Sequence, residues 1–507
     1  MNKFCTLLDF DPEKKKTSVK TEIIAGIVTF LAMAYILTLN PSLITNDWAR
    51  TGVLWPSVFI ATALGAFIGT LLMAILAKLP LAQAPGLGLN SMVGGLLGGS
   101  LGFACSFGNA MLLVLISGIL FLLLSVITVK GVSVRELIFD GIPECVRGSI
   151  SVGIGLFIAF IGLVNAGIIV PGQSAIDLTA LDLGKYLIPE TGTLVTLVDF
   201  SCWDMTVVGG AIVCLVGFIV IAVLSHFNVK GAVIIGIAVG TVLGIPLGVT
   251  TWSDYTWKFW TYFENFFSFD SSKGGTFLAA FTEGFSWDSG AAIMPCVMTV
   301  ITFCMIDMFD TMGTCVGCCE AAGLMDNGKP LRYNKIMYSD SIATCTGALF
   351  GTSTVTTFVE SGAGIAAGGK TGLTALTTAI LFLLSIVLLP LFASIPTAAA
   401  ASALLWVGAL MLKGAKNIKI DGVKNFVPAF LTIAMMPLGY SITTGIGFGI
   451  LSYVLIDIFG YLSSLVAYKC GKAKEGEEKV KPVWDLHVVT IIIAVLFIIY
   501  FFVPTSF

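Results

Sequence analysis

The chain has 507 residues, of which 57% are hydrophobic and 11% are charged. Soluble globular proteins carry about 25% charged residues, so this composition excludes a soluble enzyme and a disordered chain. The formal net charge of -3 excludes the strong basic bias that nucleic-acid binding needs. A helical membrane protein remains, because the apolar runs are continuous and do not alternate as they do in membrane β-barrels.

Windows of about twenty apolar residues mark the predicted membrane crossings. After a polar N-terminus, the expected spans are 22–45, 52–78, 107–130, 142–164, 204–226, 230–250, 288–316, 335–351, 370–393, 395–413, 425–443 and 445–466. Two more stretches, 83–100 and 352–368, are apolar but too short and glycine-rich for ordinary helices. Counting both gives fourteen crossings. A fifteenth candidate lies at 486–504, and the sequence does not decide whether it crosses.

Lysine and arginine in the predicted loops set the orientation, since cytoplasmic loops carry an excess of both. With a cytoplasmic N-terminus at 1–20, the inner loops hold the basic residues, whereas the outer loops 165–203 and 251–287 are acidic or aromatic. This distribution holds only if both short stretches cross. We expect a multi-pass protein of the plasma membrane, with a charged tail and an additional hydrophobic segment in 467–507.

Fourteen crossings divide into two sets of seven, 21–250 and 288–466, separated by an extracytoplasmic loop at 251–287. The two short stretches are the third and the tenth crossing, which are matching places. Since seven is odd, equivalent crossings run in opposite directions, and paired interrupted segments in such inverted repeats point to a transporter's binding site. The sequence predicts a short extended stretch in each, followed in the tenth by a half-helix that begins near Phe358.

Acidic residues inside the predicted crossings are candidates for function, because a charge in the membrane is costly. They are Asp307, Asp310, Asp340, Glu360 and Asp457. Asp307 and Asp310 are three residues apart on the eighth crossing and share a helical face, with Thr311 beside them. The alternative is a structural role as a helix cap or as the partner of a lysine, above all for Asp340 and Asp457.

The third and tenth crossings carry polar groups of their own. Glu360 falls in the first turn of the predicted half-helix, whose positive end and free amides receive polar ligands. Asn90 takes the equivalent place in the third crossing, as a helix cap or as a carboxamide that pairs with a heterocycle. Gly88 allows backbone contact with a ligand or close helix packing. Phe30, Tyr35 and Phe358 are candidates to stack on a planar ligand. The alternative for each is ordinary packing against lipid or the protein core.

The sequence contains no motif for another chemistry. There is no Walker A pattern, no dinucleotide fingerprint and no histidine-based metal or nucleophile constellation. We therefore expect no cofactor, no bound metal and no enzymatic activity. A channel would need rings of pore-lining residues, and these are not visible either.

Four motifs in chain order resemble the AzgA-like purine permeases, a branch of the nucleobase/ascorbate transporter family. They are 21–36 with Asn40-Pro41, 84–90, 307–314 and 351–361. The resemblance extends from about residue 18 to 466. It implies fourteen segments in two inverted repeats, with a core domain of crossings 1–4 and 8–11 and a gate domain of crossings 5–7 and 12–14. It also implies uptake of adenine, guanine or hypoxanthine with protons.

Carried over by position, the resemblance places the substrate-binding acid of the eighth crossing on Asp307 and its supporting partner on Asp310. It places the acid of the tenth crossing on Glu360 and the polar residue of the third on Asn90. We expect the purine between these three crossings, near the bilayer midplane. The remaining contacts are expected from the backbone at or near Gly88, Leu89 and Phe358.

A proton is the expected coupling ion, because a carboxyl group in a desolvated site can cycle between acid and anion. Asp307 and Glu360 are the candidate proton carriers, supported by Asp310 and Thr311. Sodium is the alternative, with hydroxyl and carbonyl oxygens as ligands. Two other substrate classes stay open, a xanthine/uracil-type permease and an anion permease or exchanger of the same architecture, although buried carboxylates disfavour anions. A homodimer is an open alternative to a monomer.

Overall fold

The structure is a computed structural model that describes most of the chain. The described residues are 8–10, 17–47, 50, 52–98, 105–129, 132–171, 195–197, 205–227, 229, 231–250, 255, 257, 259–285, 293–326, 329–439, 442–469 and 486–502. The predicted tail at 470–485 and most of the predicted outer loop at 165–203 lie outside them. Within the described residues the chain is mainly helical, as the composition predicts.

The first half of the chain alternates long helices with short strand pairs. Its helices are α1 Val19–Met33, α2 Ile36–Thr45, α3 Leu54–Leu72, α4 Leu87–Leu97, α5 Phe107–Val126, α6 Val134–Gly141, α7 Glu144–Asn165, α8 Met205–His226 and α9 Ala232–Gly244. Its strands are β1 Gln83–Pro85, β2 Thr128–Val129, β3 Val132–Ser133, β4 Ile169–Pro171 and β5 Val195–Leu197.

The second half is also mainly helical in the described residues, with three short strands. Its helices are α10 Phe259–Phe266, α11 Ala279–Thr282, α12 Ile293–Ala322, α13 Tyr333–Phe350, α14 Ser361–Ala366, α15 Gly372–Leu384, α16 Leu389–Ala393, α17 Thr397–Met411, α18 Val423–Leu438, α19 Ile442–Lys469 and α20 Val488–Phe502. Its strands are β6 Met325–Asp326, β7 Lys329–Pro330 and β8 Val355–Thr357.

The first predicted crossing is interrupted in its middle. Ser18 caps α1, because its hydroxyl accepts the amide hydrogen of Thr21 over 3.1 Å. The helix ends at Met33, and α2 begins at Ile36. Pro41 has no amide hydrogen for the carbonyl of Leu37, which weakens the helix one turn after the break. The interruption places Tyr35 between two helices, inside the protein.

The helices pack into two groups. The core group consists of α1–α5 and α12–α16, and the gate group consists of α7–α9 and α17–α19, with α7 packed on both α17 and α18. Contacts between the groups are sparse and come mainly from α9 against α1 and from α4 and α12 against α7. This division is consistent with the core and gate domains that the resemblance implies.

The crossing count of fourteen stays a prediction. Within the described residues, nine helical segments are long and apolar enough to cross a membrane by length and composition. Shorter apolar helices occur at Leu87–Leu97, Ala232–Gly244, Val423–Leu438 and Val488–Ile498. The last of these belongs to the fifteenth candidate segment, which forms α20 and packs against α19 and α6.

The segments predicted as the third and tenth crossings both contain extended backbone near their start, as predicted. Strand β1 pairs antiparallel with β8 in the register Gln83↔Thr357, Ala84↔Thr356 and Pro85↔Val355. Gly86 N donates to Thr354 O over 3.0 Å, so the nitrogen of Pro85 points away from β8 and its missing hydrogen removes no ladder bond. We call this two-stranded element the ribbon.

The half-helix after β8 begins later than the sequence predicts. Helix α14 starts at Ser361, and Glu360 is its N-cap residue, so Glu360 precedes the first turn. The predicted start near Phe358 is wrong because Phe358 N donates to Ala82 O over 3.0 Å, which keeps the chain in the ribbon for one more residue.

Candidate functional site

Extended backbone at membrane depth requires partners for both edges of the ribbon, because lipid offers none. On the β1 edge, Thr70 serves both groups of Gln83: its hydroxyl donates to Gln83 O over 2.9 Å and accepts from Gln83 N over 3.0 Å. Asn90 Nδ2 lies 3.4 Å from Pro85 O, and Asn90 Oδ1 accepts from the hydroxyl of Ser353. Asn90 is fully buried and ties α4 to the start of the tenth crossing.

On the β8 edge, a threonine hydroxyl accepts each outward amide hydrogen. Val355 N donates to Thr344 Oγ1 over 3.2 Å, and Thr357 N donates to Thr311 Oγ1 over 3.3 Å. Both threonines are fully buried, on α13 and α12 respectively. Helix α12 and helix α13 therefore hold the strand through one threonine each.

Each of these threonines also donates to an aspartate on the opposite helix. Thr344 Oγ1 donates to Asp307 Oδ2 over 2.8 Å, and Thr311 Oγ1 donates to Asp340 Oδ2 over 2.8 Å. The pairs are reciprocal, since Asp307 and Thr311 are four residues apart on α12 and Asp340 and Thr344 are four apart on α13. We call these four residues the clasp.

The two aspartates of the clasp differ in how well they are satisfied. Asp340 Oδ1 accepts from Gln83 Nε2 over 2.8 Å and lies 3.5 Å from Thr357 Oγ1, so both of its oxygens have donors. Asp307 is 1% exposed, and its Oδ1 has no hydrogen-bond partner in the described part of the chain. Of the two, Asp307 is thus the carboxyl with a vacant oxygen.

A cavity of about 970 Å³ lies between the core group and the gate group, in front of the ribbon. Its core wall includes small residues together with two acids and two aromatic rings, and its gate wall combines large apolar side chains with small residues. Core residues on it include Ala32, Tyr35, Gly86, Gly88, Asp310, Gly313, Thr314, Phe358, Glu360 and Gly362, and gate residues include Ile154, Ile158, Ser225, Trp406, Met411 and Lys413.

The two carboxyl groups on the cavity are held by hydroxyl groups. Tyr35 Oη donates to Glu360 Oε1 over 2.6 Å, and Thr356 Oγ1 donates to Asp310 Oδ2 over 3.3 Å. Glu360 is 9% exposed. Neither acid forms an ion pair within the part of the chain that the structure describes. Each therefore retains acceptor capacity that faces the cavity.

The structure brings some of the predicted site residues together and separates others. Glu360, Asp310, Gly88 and Phe358 line the cavity. A second set of residues does not: Asn90, Leu89, Thr311 and Asp307 are buried behind the wall. The amide of Phe358 bonds to Ala82 in the ribbon, which leaves the ring of Phe358, and not its amide, as the group available to a ligand.

The aromatic candidates separate in the same way. Tyr35 and Phe358 line the cavity, whereas Phe30 packs edge-to-face against Phe382 with ring centroids 5.2 Å apart. Trp406 on α17 lines the opposite wall. Sequence reasoning does not single it out, because an aromatic residue in an apolar helix is usually a packing residue. Sequence reasoning does not identify Thr344 of the clasp either, since its partners Asp307 and Val355 lie on other elements.

Comparison with known proteins identifies the family of the chain. The sequence profile Xan_ur_permease, described as "Permease family", matches residues 20–448. The guanine/hypoxanthine permease PbuO of Bacillus subtilis is 35% identical over 497 residues, which cover 97% of this chain and 100% of that protein. The adenine permease AdeQ of Escherichia coli is 34% identical over 443 residues, 87% of this chain and 88% of that protein.

A solved structure shares the fold. The transmembrane domain of the cyanobacterial bicarbonate transporter BicA superposes with a TM-score of 0.54 at 15% identity, covering 85% of this chain and 97% of that one. At this identity the likeness concerns the fold alone. The resemblance to the AzgA-like permeases is confirmed by the sequence relatives. The chain is therefore a multi-pass membrane transporter, not an enzyme, and it belongs to the permease family.

Proposed function

We propose that this permease takes up purine nucleobases by proton symport across the plasma membrane, with its N-terminus in the cytoplasm. The observation that carries the proposal is the pair Asp310 and Glu360, two carboxyl groups that face one cavity without an ion pair in the described part. A purine edge presents N–H donors beside ring-nitrogen acceptors, and carboxyl groups accept when ionised and donate when protonated. The names of the relatives PbuO and AdeQ support guanine, hypoxanthine and adenine over xanthine and uracil.

The proposal assigns roles to five residues of the cavity and to one acid behind its wall. The hydroxyl of Tyr35 occupies Glu360 Oε1, which leaves Oε2 for an N–H of the base. Asp310 takes a second donor on the same edge. The rings of Phe358 and Trp406, on opposite walls, enclose the planar ligand. Asp307 lies behind the wall, so we assign it to proton binding, whereas the resemblance places it on the substrate.

Transport then requires the core group to move against the gate group, because the cavity lies between them. The cavity reaches Ser225, Gly231 and Lys413 at the ends of gate helices. With the N-terminus in the cytoplasm, these ends belong to the inner face, and the cavity communicates with the cytoplasm. The inverted repeats 21–250 and 288–466 provide two related halves for the opposite, outward-open arrangement.

The membrane potential contributes to uptake in this scheme. A purine base is neutral near pH 7, so symport with one proton moves one net charge in each cycle. A potential of 100 mV then supplies about 2.3 kcal/mol for each charge. The expected uptake is electrogenic and rises as the external pH falls, since the proton is a co-substrate.

The test is uptake of radiolabelled adenine, guanine and hypoxanthine by the purified protein in liposomes. An inward proton gradient should drive accumulation, an uncoupler should abolish it, and replacement of sodium by choline should leave it unchanged. Unlabelled adenine, guanine or hypoxanthine should compete far better than xanthine, uracil or bicarbonate. Uptake that needs sodium and ignores pH would refute proton coupling, and competition by bicarbonate alone would refute the nucleobase substrate.

A further inference from the structure

Thr344 has a single hydroxyl hydrogen and two acceptors within reach. Its Oγ1 lies 2.8 Å from Asp307 Oδ2 and 3.3 Å from Val355 O, while it accepts the amide hydrogen of Val355 over 3.2 Å. A threonine hydroxyl donates one hydrogen bond and accepts two. The hydrogen of Thr344 can therefore point at the carboxylate or at the strand, but not at both.

The charge on Asp307 decides between these two arrangements. When Asp307 is ionised, it can only accept, and the shorter bond from Thr344 is formed. When a proton binds at Oδ2, the new O–H donates to Thr344 Oγ1, and the threonine hydrogen turns to Val355 O. No atom besides the incoming proton changes its covalent partner. The hydrogen bond between Asp307 Oδ2 and Thr344 Oγ1 is kept with its direction reversed, and Val355 O gains the hydrogen bond from Thr344.

Asp307 is the aspartate of the clasp whose ionised form has fewer hydrogen-bond donors. Its Oδ1 is buried without a partner in the described residues, so the ionised form lacks donors that a buried carboxylate needs. Asp340 receives hydrogen bonds on both oxygens and is satisfied as an anion. The titratable groups that face Asp307 are Asp310 and Cys304 on its own helix and Asp340 and Cys345 on α13.

The strand that receives the hydrogen bond leads directly to the cavity. Val355 is followed by Thr356, whose hydroxyl donates to Asp310 on the cavity wall over 3.3 Å. Glu360 follows the same strand and is the N-cap residue of α14. A change in the hydrogen bonding of Val355 therefore occurs next to Thr356, the residue whose hydroxyl donates to Asp310.

We propose that Thr344 is a positioning residue that transmits the protonation state of Asp307 to strand β8 and thereby couples proton binding to substrate binding. The proposal rests on the proposed proton symport. It predicts that loss of the Thr344 hydroxyl uncouples the two events, whereas a serine preserves the coupling because it keeps the hydroxyl.

The experiment compares T344V, T344S, T346V and wild type in the same liposomes. Thr346 is the matched control, because its hydroxyl donates to Ala343 O of its own helix over 2.9 Å. Two rates are measured for each protein: hypoxanthine accumulation driven by a proton gradient across a series of external pH values, and exchange of labelled for unlabelled hypoxanthine without a gradient.

T344V should lose gradient-driven accumulation about tenfold or more, the factor expected for one hydrogen bond to a charged group. Its exchange rate should fall much less and become independent of pH. T344S and T346V should keep the pH profile of wild type. D307N combined with T344V should be no worse than D307N alone, since both act on one link.

Three results would overturn the proposal. The first is a wild-type pH profile in T344V. The second is an equal loss of exchange and accumulation in T344V that serine does not restore, which would mean a purely structural role. The third is additive loss in the double variant. The wild-type arm reports separately on the proposed function, because absence of proton dependence there refutes symport whatever the variants do.

Discussion

The hydroxyl of Tyr35 donates to Oε1 of Glu360 over 2.6 Å, and this bond joins the break in the first crossing to the cap of α14 in the tenth. The two residues are 325 positions apart in the chain. Both are buried at the wall of the same cavity. The interruption of the predicted first crossing thus lies at the site itself, because Tyr35 stands between the two helices and donates to Glu360.

Replacing Tyr35 with phenylalanine should weaken substrate binding without loss of the fold. The ring stays in place, but Glu360 loses its donor and turns away from the orientation that meets the base. Because hydrogen bonds to charged groups contribute about 1.5–3 kcal/mol, the KM for hypoxanthine should rise about tenfold or more. Tyr255→Phe is the control, since its hydroxyl makes an equally short bond to Arg50 O outside the cavity. Equal effects of both changes would contradict the assignment.

The acids of the eighth and tenth crossings should divide into two functions. Asp310→Asn and Glu360→Gln alter groups on the cavity and should raise the KM for every purine. Asp307→Asn should keep binding of the base but lose the dependence of uptake on external pH, because Asp307 lies behind the wall. Uptake at several pH values and binding by calorimetry separate the two outcomes. A pH-independent Glu360→Gln with unchanged KM would reverse the division.

The sequence predicts which crossings carry the site more reliably than which residue faces it. Asp307 and Asp310 are three residues apart on one helix, so their side chains point in nearly the same direction and spacing does not rank them. The packing of α12 against α13 decides, since it turns Asp307 toward Thr344 and leaves Asp310 on the cavity. The resemblance identifies the same pair of residues, but it places substrate binding on Asp307 and a supporting role on Asp310.

Features that depend on distant partners could not be read from the sequence. Asp340 receives a hydrogen bond from Gln83, which is 257 positions away. The sequence alone therefore cannot show that this aspartate is held by the ribbon. Asp457 had no visible partner, and the structure supplies Lys424, one helix earlier in the gate group. The start of α14 was misplaced for the same reason, because pairing with β1 extends the strand beyond its local preference.

Gly313 should set the space available beside Asp310. It lies one helical turn from that acid on α12, it lines the cavity, and a Cβ added there would meet no atom within 4 Å. Alanine should fold normally and raise the KM for purines severalfold, and valine should reduce uptake further, since the larger side chain would fill cavity space that the base needs beside Asp310. Gly460→Ala is the control, because its Cβ also meets nothing within 4 Å but lies away from the cavity. Unchanged purine affinity in Gly313→Val would show that the base binds elsewhere.

The ion pair between Lys424 and Asp457 should stabilise the gate group. Lys424 is 35% exposed and Asp457 15% exposed, so Lys424→Met leaves a partly buried carboxylate without its cation. We expect a loss of about 2 kcal/mol in unfolding free energy, less than for a fully buried pair, and recovery in the double variant with Asp457→Leu. Lys419→Met removes the more exposed pair with Glu144 and should have almost no effect. Thermal unfolding in detergent measures all three, and a single variant as stable as wild type would contradict the expected role.

A disulfide between the core and gate groups should stop transport and spare binding. The ideal Cβ of a residue at position 231 would lie 3.6 Å from Cβ of Leu31, within the range of about 3.5–4.5 Å that disulfides require. Position 231 precedes α9 in the gate group, and Leu31 is on α1 in the core group. Oxidation of Leu31→Cys with Gly231→Cys should abolish hypoxanthine uptake, leave its binding measurable, and be reversed by a reductant. Each single variant is needed as a control, because Gly231 has a φ of +79° and any side chain there is strained. Full transport by the quantitatively cross-linked protein would mean that the two groups need not separate at this contact.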